Sequence, residues 1–395
     1  MSLFRPPRRL FHLASAILAA LLAMQLIPWE PAASLFPSLS PLLGLSGALA
    51  KRAFWPAALL GVPVFLSGFV HKRWFCFHLC PTGYCAEAAG KLNASAANRF
   101  AAWPRLGGWL ALAILGSAAL GSPLALGLDP LALFNGFFSA WRRPLEAGLP
   151  PLATGFLLVL LISLARPHLW CLRLCPLGSL QDTLHETGRR IRAFRTAGEE
   201  APKAERRLFL GLAAGGLAGL FLPRLAPRGN AVLRPPGAAP ESQFKSLCAR
   251  CGACLRACPY HIITPDLGEA GAAGLLAPRI QYGQGYCFEQ CKACTEACPT
   301  GAIRHLTLPA KRQLALGTAV VEKHRCLAWQ DGLYCMVCQE FCPYSAVSAV
   351  EQKGVNCPVV NADLCRGCGA CQNDCPARPG RAITVRPTGQ HVLPG

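Results

Sequence analysis

The sequence lacks the fingerprints of several common cofactors. It has no Gly-x-Gly-x-x-Gly run after a strand-like segment and no Cys-x-x-Cys-His motif. These absences argue against a nucleotide or flavin in a dinucleotide-binding fold and against covalently attached haem. Charged residues are also scarce, at 15% of 395 positions, whereas 52% of residues are hydrophobic. That balance is typical of a membrane protein with a soluble part attached.

Acidic residues are few, with 20 Asp and Glu against 39 Lys and Arg, which gives a net charge of +19. The excess is uneven, because residues 1–228 carry 23 basic and 9 acidic side chains and residues 229–395 carry 16 and 11. Most of the basic residues lie in short segments between apolar runs. This pattern indicates the orientation of membrane helices rather than nucleic-acid binding, and we expect no nucleic-acid partner.

Apolar segments dominate the first half of the chain. Four of them approach the roughly 20 residues that cross a bilayer, and a fifth is shorter and diluted with glycine. Two semi-apolar stretches are predicted to lie at the interface or to re-enter. The four are 10–27, 54–70, 106–126 and 149–165, the fifth is 208–222, and the semi-apolar stretches are 35–50 and 128–141. The sequence therefore predicts four or five transmembrane helices in contact with lipid.

The distribution of Lys and Arg predicts the orientation of these helices. The N-terminus carries three, the loop after the second span carries five, and the segment after the fourth span carries nine. The two alternate loops carry only Lys51 with Arg52 and Arg142 with Arg143. We therefore expect a bacterial inner-membrane protein with a cytoplasmic N-terminus, in which the fifth helix takes the C-terminal half to the periplasm.

The fifth apolar segment begins with Arg206-Arg207-Leu208-Phe209-Leu210, which has the form of a twin-arginine export signal in the middle of the chain. No clear Ala-x-Ala cleavage site follows it. We therefore expect this helix to remain as an anchor.

Composition predicts four regions. Residues 1–188 form a four-helix membrane domain, and 189–228 form a basic segment with the fifth helix. Residues 229–240 are rich in Pro, Gly and Ala and are predicted to be a linker. Residues 241–395 form a soluble α+β domain.

The soluble domain repeats one cysteine pattern four times. Runs one and four match the C-x2-C-x2-C-x3-C-P spacing of bacterial ferredoxins, and runs two and three widen the first gaps. The runs are Cys248, Cys251, Cys254 and Cys258; Cys287, Cys291, Cys294 and Cys298; Cys326, Cys335, Cys338 and Cys342; and Cys365, Cys368, Cys371 and Cys375. Zinc also binds C-x2-C pairs, but the fourfold repeat predicts four [4Fe–4S] clusters with a bacterial-ferredoxin-like fold.

The sequence leaves two alternatives for which cysteine runs share clusters. The shared widening of runs two and three favours a nested arrangement, in which run one pairs with run four, while adjacent pairing is the alternative. After each Cys-Pro comes a short apolar run, such as Ala346-Val347 or Ala382-Ile383, which we expect to shield a cluster from water.

Two further motifs lie in the first half, as CFHLCP with Cys76 and Cys80 and as CLRLCP with Cys171 and Cys175. Their equivalent positions after the second and fourth spans suggest an internal duplication and one site shared by four thiols. Buried structural thiols are the alternative, and the sequence does not identify the metal or redox group. The remaining Cys85 and Cys357 are expected not to be ligands.

The C-terminal half resembles the ferredoxin-type proteins of periplasmic nitrate reductase and methylamine utilisation, the NapG/MauM type. The resemblance is carried by Leu233-Arg234-Pro235-Pro236-Gly237-Ala238, by CARCGACLRACPY and by CLAWQ with LYCMVCQEFCP. The N-terminal half is similar to the membrane partner of those proteins, the NapH/MauN type, in its four spans and two C-x3-C-P motifs. The chain thus resembles a fusion of the two partners, with the export signal kept as an internal helix.

The resemblance implies electron transfer from quinol, through the clusters, to a periplasmic cytochrome or reductase. The chain would then be the quinol dehydrogenase component of a respiratory chain. Asp129 and Glu146 are the candidates for quinol deprotonation, although no catalytic residue is assigned. Two rival hypotheses are a maturation factor that donates electrons to another enzyme's metal centre, such as copper, and a cytoplasmic ferredoxin tethered to the membrane.

Overall fold

The computed structural model describes residues 5–27, 32–93, 104–140, 151–197, 206–225 and 229–388. The chain divides into two compact units. The first unit comprises residues 1–226, 245–256 and 297–302, and the second comprises 227–244, 257–296 and 303–395. Two cysteine-bearing segments of the C-terminal half therefore belong to the first unit.

The first unit is helical in its described residues. Its helices are α1 (Arg5–Ala23), α2 (Ala32–Ser38), α3 (Pro41–Lys51), α4 (Pro56–Leu59), α5 (Val62–Val70), α6 (Trp74–His78), α7 (Pro81–Lys91), α8 (Leu106–Ala119), α9 (Pro130–Ala140), α10 (Thr154–Ala165), the π-helix Trp170–Leu174, α11 (Pro176–Ala197) and α12 (Arg206–Leu225). Short 3₁₀ turns lie at Leu126–Leu128 and Pro151–Ala153. Proline opens five of these helices, where its missing N–H costs nothing, and so divides the apolar sequence into short pieces.

Only α12 is long and apolar enough on its own to cross a membrane among the described residues, over Leu208–Leu225. Helices α2 and α3 meet the same criterion as a pair but are bent by 88°. The four predicted spans coincide with shorter apolar helices, at Arg9–Ala23, Pro56–Val70, Leu106–Ala119 and Pro151–Ala165. Membrane crossing by these four segments therefore stays a prediction, and the fifth segment, the weakest by sequence, is the strongest candidate.

Helix α12 packs closely against α8 through small residues. A Cβ atom at Gly215 would lie 2.4 Å from the Ala113 backbone, and one at Gly219 would lie 2.6 Å from the Ser117 side chain. In return, a Cβ at Gly116 would lie 2.1 Å from the Leu212 carbonyl. Only glycine permits this backbone approach, which is common where apolar helices associate. The twin-arginine helix is therefore an integral part of the first unit.

The two C-x3-C-P motifs stand in equivalent structural positions. The segment α5–α6–α7 carries the first motif, and α10, the π-helix and α11 carry the second. Helix α7 packs against α10, and α11 packs against α5. Each helix that follows a motif thus contacts the apolar helix that precedes the other motif, which supports the predicted duplication.

The C-terminal half combines short helices with three separate two-stranded antiparallel sheets. The helices are α13 (Glu241–Leu247), α14 (Ala253–Ala257), α15 (Ala293–Glu296), α16 (Leu308–Gln313), α17 (Leu327–Gln330), α18 (Val337–Glu340) and α19 (Ala370–Asp374). The strands are β1 (Ile263–Pro265) with β2 (Pro278–Ile280), β3 (Thr318–Val321) with β6 (Ile383–Arg386), and β4 (Val347–Gln352) with β5 (Val355–Val360). The prediction of an α+β ferredoxin-like fold is confirmed here.

The segment predicted as a linker is partly packed. Leu233, Arg234, Ala238 and Ala239 are buried. Arg234 donates to the Glu241 carboxylate at 2.6 and 2.9 Å and to the Pro278 carbonyl at 2.9 Å. Residues 233–239 therefore do not act as a free linker, because these polar contacts tie them to the second unit.

We expect Gly215→Leu to destabilise the first unit by about 1–3 kcal/mol, because the new side chain must displace the α8 backbone. Thermal unfolding of the detergent-solubilised protein measures this loss. Ala214→Leu is the control, since Ala214 is exposed on the same helix. Equal stability of the two variants would contradict the packing.

Candidate iron–sulfur centres

Four groups of four cysteines can be assembled from the four runs. Site 1 is Cys248, Cys251, Cys254 and Cys298; site 2 is Cys258, Cys287, Cys291 and Cys294; site 3 is Cys326, Cys335, Cys338 and Cys375; site 4 is Cys342, Cys365, Cys368 and Cys371. In each group, three thiols come from one run and the fourth comes from the run paired with it.

Sites 3 and 4 each line a cavity in the second unit. The site 3 cavity holds about 350 Å³ of space, including solvent at its mouth, and is lined by its four cysteines with Val321, Leu327 and Ile383. The site 4 cavity holds about 320 Å³ and is lined by its four cysteines with Ala346, Val347 and Val385. Apart from the thiols, the site 3 lining is apolar, and the site 4 lining is mostly apolar but includes Tyr344 and Arg366. Apolar surroundings shield a cluster from water.

Sites 1 and 2 are indicated by electrostatic proximity between thiols. In the first unit, Cys251 interacts with Cys248 and Cys298. In the second unit, Cys294 interacts with Cys287, Cys258 and Cys291. In both sites, a thiol of run one and a thiol of run two come together.

The expected nested pairing is wrong. The cavities join run three with run four, and the electrostatic contacts join run one with run two. The wider gaps of runs two and three are local loop insertions, which do not determine where the fourth cysteine points. Adjacent pairing, the open alternative, is what the structure has.

Short helices place the fourth cysteine of each run in the site formed by the partner run. Helix α18 carries Cys338 of site 3, and Cys342 of site 4 follows it by one turn. Helix α19 carries Cys371 of site 4, and Cys375 of site 3 follows it. These two helices contact each other. Because the last cysteine of each run lies beyond the end of its helix, the two thiols of a C-x3-C-P ending can belong to different sites.

Backbone amides support the thiols of the second unit. Ala346 N–H donates to Cys342 Sγ at 3.3 Å, and Ala382 N–H donates to Cys375 Sγ at 3.4 Å. Ala319 N–H donates to Cys365 Sγ at 3.4 Å. Ala346 and Ala382 open the apolar runs expected to shield the clusters, and both line the cavities. In runs three and four these residues thus lie where shielding of a cluster would require them.

Burial raises the pKa of the Cys338 thiol to about 12, with further rises from Cys326, Cys335 and Cys375. Burial likewise raises the pKa of Cys368 to about 12. Without a metal these thiols hold their protons at neutral pH. Iron binding must therefore release protons, as is general for thiolate sites.

Sites 2 and 4 are in direct contact within the second unit. The backbone N–H of Cys287 donates to the carbonyl of Cys368 at 2.8 Å. Tyr282 packs beside this junction, and its hydroxyl donates to the Gly367 carbonyl at 2.5 Å. A Cβ at Gly369, whose φ is +85°, would meet the Tyr282 ring at 2.3 Å. Glycine is therefore required inside run four.

Two ammonium groups, Lys311 buried and Lys51 half-buried, lie beside two of the runs. Lys311 is 5% exposed, and its Nζ donates to the Phe288 carbonyl next to Cys287. In the first unit, Lys51 donates to the Gly301 carbonyl, close in sequence to Cys298. Such cations oppose the negative charge that clustered thiolates create.

The two C-x3-C-P motifs have matching local geometry. Cys80 precedes α7, and its Sγ accepts from Gly83 N–H at 3.4 Å. Cys175 precedes α11, and its Sγ accepts from Gly178 N–H at 3.4 Å. A Cβ at Gly83 would lie 3.0 Å from the Cys76 carbonyl, and one at Gly178 would lie 3.2 Å from that of Cys171.

The four thiols of these motifs converge. Cys80 interacts electrostatically with Cys76, Cys175 and Cys171. Cys175 interacts with Cys76 and Cys171. We name Cys76, Cys80, Cys171 and Cys175 the N-terminal four-cysteine site. The arrangement agrees with one site shared by both motifs.

The remaining candidates lie elsewhere. Cys85 packs on the Phe36, Phe134 and Phe156 cluster, and Cys357 is buried in β5. Asp129 is fully buried, accepts from Ser40 at 2.6 Å and caps the first turn of α9. Its contacts are those of a helix cap. Glu146 lies outside the described residues, as do Arg142 and Arg143.

In the described part of the chain, no group of three or more His, Cys, Asp or Glu side chains lies close enough to bind one metal ion. A cubane holds its thiolates around a larger body than a single ion does. Four cysteines around an apolar cavity, with amides directed at sulfur, fit a [4Fe–4S] cluster in donor type and in surroundings.

Pairing can be tested with two double variants. We expect Cys338→Ala/Cys375→Ala to remove one cluster, because both thiols belong to site 3. Cys371→Ala/Cys375→Ala should alter two clusters, because it removes one thiol from each of sites 4 and 3. Iron analysis and quantitative electron paramagnetic resonance count the affected clusters. Two clusters altered in the first variant would contradict adjacent pairing.

Comparisons with known proteins agree with this chemistry. A 4Fe-4S dicluster domain matches residues 247–329, which include runs one and two. Two 4Fe-4S binding domains match, one at 52–95 and 149–195 and the other at 362–378. The match at 52–95 and 149–195 covers both motifs of the N-terminal four-cysteine site. No solved structure matches the chain.

Curated relatives cover the C-terminal half. The methylamine utilization ferredoxin-type protein MauM of Paracoccus denitrificans is 36% identical over 200 residues, which are 48% of this chain and 85% of that protein. The ferredoxin-type protein NapG of Escherichia coli is 36% identical over 196 residues, 44% of this chain and 82% of that protein. NapF of the same organism is 35% identical over 147 residues, 36% of this chain and 80% of that protein. The chain belongs to the family of ferredoxin-type, 4Fe-4S electron-transfer proteins that includes MauM and NapG.

Proposed function

We propose that the chain is a membrane-anchored protein that relays electrons from quinol to a periplasmic cytochrome or reductase. The carrying observation is the contact between Cys287 N–H and the Cys368 carbonyl, which joins the two pairs of four-cysteine sites. When bound, each [4Fe–4S] cluster accepts and donates one electron at a time. The four ferredoxin runs would hold four such clusters.

The cysteines give the four sites an order. Cys254 of site 1 and Cys258 of site 2 are the third and fourth cysteines of run one, four residues apart in the sequence. Sites 2 and 4 meet at the Cys287–Cys368 hydrogen bond. Sites 4 and 3 are linked by α18 and α19. We propose the sequence site 1, site 2, site 4, site 3 for the relay.

The donor end would lie in the first unit. Site 1 belongs to this unit, where Asn135 of α9 donates to the Cys251 carbonyl at 2.7 Å. The N-terminal four-cysteine site lies in the same unit and would hold a further metal or redox group. The name of MauM supports a redox partner in methylamine utilization, and a partner of the periplasmic nitrate reductase type rests on the resemblance of the C-terminal half. Quinol as the donor rests on the resemblance of residues 1–188 to the membrane partner.

Our proposal for the localisation of the chain rests on helix α12. We propose that residues 206–225 anchor the chain in the bacterial inner membrane and that the C-terminal half lies in the periplasm. Support comes from its length, its apolar composition and its glycine contacts with α8. An integral helix packed in this way fits a retained anchor better than a removable signal.

Electron input can be tested in proteoliposomes. We expect Cys76→Ser/Cys171→Ser to reduce quinol-dependent reduction of the ferredoxin clusters at least tenfold, while dithionite still reduces them. Cys85→Ser is the matched control, because Cys85 lies on α7 outside the four-cysteine groups. Unchanged quinol turnover would refute a conducting role for the two motifs. Bound copper without quinol oxidation would favour a maturation factor.

Topology can be tested with a folded reporter fused after Gly395. We expect the reporter to lie in the periplasm, and Arg206→Lys/Arg207→Lys to retain it in the cytoplasm. A Lys203→Arg variant serves as the control for basic residues outside the pair. A cytoplasmic reporter in every variant would refute the outward relay and favour a tethered cytoplasmic ferredoxin.

A further inference from the structure

Among the residues that the structure describes, Arg73 is a buried cation beside the N-terminal four-cysteine site. Arg73 is 6% exposed and interacts electrostatically with Cys76 and Cys175. Its Nη1 donates to the Cys171 carbonyl at 2.7 Å. The guanidinium also lies 3.7 Å from the position of a Cβ at Gly178. It therefore touches the backbone of the second motif while belonging to the first.

Asp182 fixes this guanidinium. Arg73 Nε donates to Asp182 Oδ1 at 2.8 Å, and Arg73 Nη2 donates to Oδ2, so the pair is bidentate. Arg73 also adopts a left-handed backbone conformation, with φ at +52°. Such a conformation costs energy for a residue other than glycine and persists only where surrounding contacts hold it. The position of the charge is therefore specified by both halves of the duplication.

The two motifs differ in the charged residues at equivalent positions. The residue three positions before the first cysteine is Arg73 in one motif and His168 in the other, and both have positive φ. His168 is exposed. Seven positions after the second cysteine stand Glu87 and Asp182. Glu87 pairs with Lys91 at 3.1 Å near the surface, so only the Arg73–Asp182 combination places a buried cation at the thiols.

The Arg73 side chain is buried and that of Asp182 is half-buried. Stability alone does not explain such a pair, because removing charges from water costs about as much as their attraction returns. A cluster with four thiolate ligands carries net negative charge, and an apolar surrounding disfavours that charge. A fixed guanidinium next to the thiols lowers this cost. It also favours the reduced cluster, which carries one more electron.

We infer that Arg73, positioned by Asp182, sets the electron affinity of a [4Fe–4S] cluster held by Cys76, Cys80, Cys171 and Cys175. This inference rests on the proposed function of the N-terminal four-cysteine site. Arg73 is a positioning residue for charge and not a ligand. The carboxylate of Asp182 partly offsets the guanidinium, so the two side chains have opposite effects on the cluster.

The test is a redox titration of the purified full-length protein in detergent. The relevant cluster is the spectroscopic component absent from Cys76→Ser/Cys171→Ser. At a fixed potential near its midpoint, Arg73→Met should lower the ratio of reduced to oxidised cluster about tenfold, which is about 59 mV for a one-electron couple. Asp182→Asn should raise the ratio. The double variant should return close to wild type.

A merely structural role would move the two single variants in the same direction, because each breaks the same ion pair. Arg73→Lys retains the charge and should keep most of the wild-type ratio. Arg189→Met is the control, since it removes an exposed cation from the same helix as Asp182. If Arg73→Met does not fold, Asp182→Asn still decides, because a lower or unchanged ratio would overturn the inference.

Iron content tests separately whether the N-terminal four-cysteine site holds a cluster and whether Arg73 affects that cluster. Wild type should contain about four more iron atoms per chain than Cys76→Ser/Cys171→Ser. Equal iron content would overturn both the inference and a cluster at the N-terminal four-cysteine site, while the four-cluster relay would stand. Extra iron with a titration unaffected by Arg73→Met and Asp182→Asn would overturn only the inference.

Discussion

Four thiolates held around one apolar cavity are the constraint on which the second unit depends. A cluster cannot be enclosed by one regular helix or strand, because neither presents four side chains to one point. The chain therefore uses loops with three closely spaced cysteines and takes the fourth from a partner run, as Cys375 does for site 3. The short helices and two-stranded sheets position these loops. The backbone N–H groups of Ala346 and Ala382 donate to cysteine sulfur.

Local spacing in the sequence was enough to predict 4Fe-4S binding, which the family matches support. The C-x2-C-x2-C-x3-C-P runs predict ligands and cluster type, and the apolar residues after each Cys-Pro predict shielding. Pairing could not be predicted, because it depends on contacts such as Cys287 with Cys368, which are distant in sequence. The width of a gap between cysteines describes one loop, whereas pairing is decided by which helices pack together, as α18 and α19 do.

Hydropathy was a weaker guide to the first half. Apolar composition located the helices, but the prolines that open α3, α4 and α7 shorten them in ways that an average over a window conceals. Helix α12 looked weak because glycines dilute its hydropathy. Those glycines allow α12 to pack closely against α8. The same residues therefore lower the mean hydropathy of the segment and permit its packing. Residues 233–239 illustrate a similar limit, since a Pro-Gly-rich composition describes both linkers and tightly packed turns.

The charged side chains that lie beside the thiols could not be identified from the sequence. Arg73 and Asp182 are 109 residues apart, and in the sequence Arg73 is one of several basic residues from which membrane orientation is predicted. Lys311 and Lys51 likewise look like ordinary surface cations until their carbonyl partners beside Cys287 and Cys298 are seen. A cation that is buried against a four-thiol group acts on the electrons of that group, because the low dielectric around it leaves the charge poorly screened. Burial therefore separates Arg73 and Lys311, whose charges lie beside thiols, from the exposed basic residues that predict membrane orientation.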